Sequence, residues 1–133
     1  MTLRIKRPDR KDALSILNAA KMQMDFTLSM KVSEEAGFTI IRNIYECFRM
    51  LGDSLLVKQG IESQDHLEPI RALLEIQIKT ERPVNIIESL RLMRHNINYY
   101  GYMPTIQEVE DAISFAKCCF YVLFEEVKKK IES

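Results

Sequence analysis

Arg94 stands on the apolar side of a helical pattern. At about 100° per residue, Ile86, Ile87, Leu90, Met93 and Ile97 share an arc of roughly 120°, and Arg94 falls inside it. A guanidinium there must snorkel to water, pair with a carboxylate, or line a cleft or interface, because a buried unpaired charge costs several kcal/mol. Close by come His95, Asn96, Asn98, Tyr99, Tyr100 and Tyr102, all able to hydrogen-bond or stack, and Gly101 lets the backbone turn among them. Arginine grips a phosphate through two parallel hydrogen bonds, and a tyrosine stacked on a base contributes about 1–3 kcal/mol. The chemistry implied is recognition of a nucleotide or an RNA. Two plainer readings stay open: Arg94 paired with an acid such as Glu88, and tyrosines that cover the end of a bundle with their hydroxyls in water.

Most signatures of catalysis are absent. A di-iron bundle needs Glu-x-x-His pairs, but Ser63 precedes His66 by three residues and Leu92 precedes His95. There is no His-Glu-x-x-His, no phosphate-binding glycine loop and no nucleophile elbow. Cys47, Cys118 and Cys119 lack metal-ligand spacing, and the adjacent pair disfavours a disulfide framework, so the cysteines read as small core residues of a reducing cytosol. No metal or other cofactor is implied. The 19 basic and 19 acidic side chains balance, which excludes a whole-molecule field that would hold nucleic acid or an anionic membrane. Any such contact is local. Residues 1–31 carry seven basic and three acidic side chains, so Arg4, Lys6, Arg7, Arg10 and Lys11 form a second candidate phosphate contact, with a solvated tail as the plainer reading. The apolar run Cys118 to Phe124 is too short to span a bilayer, and no signal peptide precedes the basic start, so the expected location is cytoplasmic with no membrane association.

At 133 residues and 47% hydrophobic, the chain fits one domain over 1–133. Ala13, Leu17, Ala20, Met24 and Leu28 predict a helix over 9–31, and Met22, Phe26 and Met30 widen its apolar stripe as if two neighbours covered it. Ser33, followed by Glu34 and Glu35, caps a second helix that runs through Ile41, Ile44, Phe48, Leu51 and Leu55 to about Lys58, where Gly60 ends it. A third is predicted over about 67–79, broken by Arg82-Pro83. Asn85 with Glu88, and Thr105 with Glu108, read as capping boxes for the fourth and fifth helices, the latter continuing to the terminus. No segment shows sustained strand alternation. The expected fold is all-α: an antiparallel four- or five-helix up-down bundle with short connections.

The run Leu90-Arg91-Leu92-Met93-Arg94-His95-Asn96-Ile97-Asn98-Tyr99-Tyr100-Gly101 before a long capped helix, with Leu55-Leu56-Val57-Lys58-Gln59-Gly60 and Asp65-His66 upstream, resembles the HEPN superfamily of small helical domains. The resemblance covers nearly the whole chain. It implies a homodimer, often a partner of minimal nucleotidyltransferases or of toxin–antitoxin systems, and in many members a metal-independent ribonuclease built on an arginine and a histidine after four intervening residues. Arg94 matches that arginine, while Tyr99 stands at the histidine position. Tyrosine, with an ordinary pKa near 10, is a poor general base. The resemblance therefore implies a nucleotide-binding, RNA-binding or partner module around Arg94, His95, Asn98, Tyr99, Tyr100, Tyr102 and His66. The alternatives are a ribonuclease using Arg94 with His95 or His66, and a ligand-free interaction bundle with no cleft beside Arg94.

Overall fold

The computed structural model describes residues 3–5, 7–63, 65, 67–80 and 82–133, with the backbone alone at 3–5, 62 and 63. Asp9 opens α1 (Arg10–Leu28) in an extended conformation, its carboxylate accepting the Asp12 N–H at 2.9 Å. Ser33 does the same for α2 (Glu34–Gln59) through the Ala36 N–H at 3.1 Å, and Gly60 closes that helix at φ 80°, a left-handed conformation that suits glycine. After α3 (Leu67–Leu74) and α4 (Ile86–Tyr100), Thr105 and Glu108 cap α5 (Ile106–Glu132) reciprocally.

Contacts between helix ends fix the directions. The Asp9 N–H donates to the Val57 carbonyl at 3.2 Å, so the start of α1 meets the end of α2. Arg42 reaches Asn98, placing the start of α2 beside the end of α4. Lys58 Nζ donates to the Ser133 carbonyl at 3.3 Å, so α2 and α5 run the same way. The four longer helices thus alternate in direction, as the all-α up-down bundle requires. Helix α2 lies at the centre and touches α1, α3, α4 and α5. Its Phe48 packs between Phe115 and Phe120 of α5, ring centroids 5.3 and 5.4 Å away, and burial of such a side chain contributes about 1.5–3 kcal/mol. Where α3 crosses α2, Gly52 is required by space, since a Cβ at that position would overlap the Pro69 carbonyl.

Four expectations need correction. Leu3–Ile5 (β1) and Ile61–Ser63 (β2) pair antiparallel, with Arg4 opposite Glu62; three-residue segments are too short to show alternation. Helix α3 stops at Leu74 instead of extending to about 79, and Ile76 enters the core from beyond its end. Asn85 makes no side-chain cap, because the carbonyls of Pro83, Val84 and Asn85 already accept the N–H groups of Ile86, Ile87 and Glu88. Met22 and Phe26 remain 69% and 62% exposed, so that edge of α1 has no covering helix here. Among the described residues, no helix is long and apolar enough to cross a membrane.

Candidate functional site

Helix α2 presents Thr39, Arg42, Asn43 and Glu46 at the spacing i, i+3, i+4, i+7, which places four polar side chains on one face. Helix α4 brings Arg94 and Asn98, one turn apart, to that face. The six residues line a cleft of about 300 Å³.

Arg94 is held there by packing. Ile87, Leu90 and Ile97 bury the apolar side of α4 against the core, so Arg94 extends from the edge of the buried face and is itself half-buried. Its guanidinium carbon lies 5.5 Å from the centroid of the Tyr45 ring, a cation–π contact with a fully buried side chain. Burial pushes the Tyr45 hydroxyl pKa up to about 12, against the opposing pull of Arg94, then of Arg49 and Arg91. Glu88 does not pair with Arg94; it bonds Arg91 at 3.1 Å. Among the described residues Arg94 makes no hydrogen bond or ion pair, so its N–H donors stay available to the cleft.

Arg42 supplies the second charge. It is exposed and makes two long hydrogen bonds at 3.4 Å, from Nη1 to Asn98 Oδ1 and from Nε to the Phe38 carbonyl. Among the described lining residues the one acid is Glu46, which accepts from Arg49 Nε at 2.6 Å through Oε1 and shares that guanidinium with Asp53. Two guanidiniums without a paired carboxylate, two amides and a hydroxyl therefore face one space. That donor set suits an anion with several oxygens.

The remaining site residues expected from sequence divide into three groups. His95, Tyr99 and Tyr100 lie on the outer side of α4 and pack on one another, with the His95 ring 4.6 Å from Tyr99 and 5.9 Å from Tyr100. Tyr99 and Tyr100 are 71% and 77% exposed, and Leu92 extends the same outward stripe. Tyr102 belongs to the α5 cap: its hydroxyl donates to Glu108 at 2.5 Å, which raises the Tyr102 pKa, while the Thr105 N–H and then this Tyr102 bond hold the Glu108 carboxyl below its ordinary range. His66 lies outside the described residues. The structure thus joins Arg94 with Asn98 and separates both from His95 and Tyr99. Thr39, Arg42 and Asn43 were missed; their periodic spacing was readable, but nothing in it names the helix that faces them.

Among the described residues the cleft lining includes no imidazole and no thiol, and burial holds the Tyr45 phenol beneath it far above neutrality. Among the described residues, no cluster of three or more His, Cys, Asp or Glu side chains could hold a metal. Comparison with protein-family models, curated proteins and solved structures finds no match.

Proposed function

We propose that this chain is a HEPN-like binding module that holds a phosphate group, of a nucleotide or an RNA strand, in the cleft between α2 and α4. One observation carries this reading: Arg42 and Arg94 flank the same cleft, and neither has a carboxylate partner among the described residues. Arg94, seated on Tyr45, is the fixed contact. Arg42 closes on the anion by leaving its long bond to Asn98, while Thr39 and Asn43 add donors to the remaining oxygens. The stacked rings of His95, Tyr99 and Tyr100 offer surface to bases on the outer side of α4. The wider reading, a cytosolic homodimer with a minimal nucleotidyltransferase or toxin–antitoxin partner, rests on the family resemblance.

Binding is favoured over RNA cleavage because His95 points away from Arg94 and Tyr99 stands where a histidine is needed. The test is fluorescence anisotropy of an end-labelled RNA oligonucleotide, with a nucleoside triphosphate as competitor. Hydrogen bonds to charged groups contribute about 1.5–3 kcal/mol, so Arg94→Ala and Arg42→Ala should each weaken binding by about tenfold or more. Each should also reduce the salt dependence by about one counterion. Unchanged binding in both variants overturns the proposal.

A further inference from the structure

Three arginines compete for Glu46. Arg42 stands four residues before it and Arg49 three residues after it on α2, spacings that bring side chains together on one helix face, and Arg94 lines the same cleft from α4. Among the described residues Glu46 bonds only Arg49, whose Nε and Nη2 both donate to Glu46 Oε1. Burial and a second anchor favour that choice. The Arg49 side chain is 24% exposed, so its ion pairs are screened less than those of a surface arginine, and Asp53, one turn further along α2, accepts from its Nη1. Arg42 is exposed and spends its donors on Asn98 and the Phe38 carbonyl. Burial dominates the Tyr45 hydroxyl, and the charges that act on it are Arg94, then Arg49, Arg91 and Glu46, so acid and arginines stand around one ring. A Glu46 carboxylate released by Arg49 therefore has two guanidiniums without a carboxylate partner beside it, and pairing with either takes the donors that an anion needs.

We infer that Arg49 is the positioning residue of the cleft between α2 and α4: it holds Glu46 along α2, away from Arg42 and Arg94, and thereby keeps both guanidiniums open to an anion. Arg49 does not itself line the cleft and acts through Glu46. Its effect on affinity rests on the phosphate-binding reading, whereas the placement of Glu46 is observable without any ligand. A charge acting only at a distance behaves differently, because its loss costs the same whether or not Glu46 is present.

Arg49→Gln, Glu46→Gln and the double variant test this in chains that all carry Asp53→Asn, so that no half-buried carboxylate is left unpaired and the amide oxygen still accepts from Arg49. NMR of the arginine Nε–H groups without ligand is the first readout. Arg49→Gln should shift the Arg94 or Arg42 signal and slow its exchange with water, and adding Glu46→Gln should reverse the change. Titration with AMP is the second. Arg49→Gln should raise the dissociation constant about tenfold where Glu46 is present and less than about twofold where Glu46→Gln has already been made, and Arg49→Lys, which retains the charge, should recover part of the loss. If AMP binds to none of the chains, the phosphate-binding reading fails, and the ligand-free signals still decide whether Arg49 holds Glu46. The inference is overturned if neither arginine signal moves in Arg49→Gln, or if Arg49→Gln costs the same affinity with and without Glu46.

Discussion

Asp53→Asn should make this protein more stable at neutral pH, although it removes a partner of Arg49. Burial is the largest influence on Asp53 and raises its pKa, Arg49 opposes it, and Glu46 adds to it, giving a displacement from the ordinary 3.8 to about 6. At about 1.4 kcal/mol for each tenfold change in proton affinity, ionised Asp53 costs the folded state about 3 kcal/mol. The side chain is only 25% exposed, so solvent screening removes little of this. The sign follows from the proton affinity: the folded state holds the Asp53 proton more tightly than the unfolded chain. Its contribution is fully present below pH 3.8 and is lost as pH rises through about 6. Asp9, Asp25 and Glu108 behave oppositely, with pKa values held below their ordinary 3.8, 3.8 and 4.5, so their stabilisation is lost only in more acid solution. The interval from about pH 5 to about pH 7.5 lies above the range of those three carboxylates, and urea unfolding of the native chain and Asp53→Asn side by side across it, followed by circular dichroism, is the assay, the difference between the two belonging to Asp53. The native chain should lose stability as pH rises while Asp53→Asn stays nearly level and becomes the more stable of the two. A native midpoint that rises with pH, together with a less stable variant near neutrality, would show that the Arg49 pair outweighs burial and refute the reasoning.

Gly52→Ala should destabilise the fold: overpacking costs about 1–3 kcal/mol, more than the roughly 1 kcal/mol that alanine returns to a helix, because the Pro69 carbonyl it meets belongs to the backbone of α3. An unchanged or higher urea midpoint would contradict that close approach. Thr105→Ala should cost about 1 kcal/mol by removing the cap on the Glu108 N–H, while Thr105→Ser, which retains the hydroxyl, should unfold close to the native midpoint. Equal midpoints for the alanine and serine variants would count against the capping box.

Local chemistry was the readable part of this fold. Ser33, Gly60, Gly101 and the Thr105–Glu108 pair each act within a few residues of chain, so their types and spacing suffice to place helix ends. Asn85 and Glu88 had the same spacing and failed, because the preceding turn had already accepted the N–H groups that a cap would take. The β1–β2 pair joins segments some sixty residues apart and leaves no periodic mark in three-residue strands. Arg94 was legible as a charge on an apolar face. Its surroundings were not: periodicity gives the face of a helix but not the register of the neighbour, so Tyr45 and Arg42 could not be assigned to it. Tyr99 and Asn98 are adjacent in sequence yet sit on different sides of α4, since successive residues turn about 100° round the axis.

The most direct measurement of the phosphate-binding reading observes the arginines themselves. In a titration with a nucleoside monophosphate, NMR of the arginine Nε–H groups should show Arg94 and Arg42 shifting together and saturating at one midpoint, with Arg91 and Arg49, both already paired with acids, moving less. Stationary Arg94 and Arg42 signals, or saturable shifts confined to other arginines, would contradict the account.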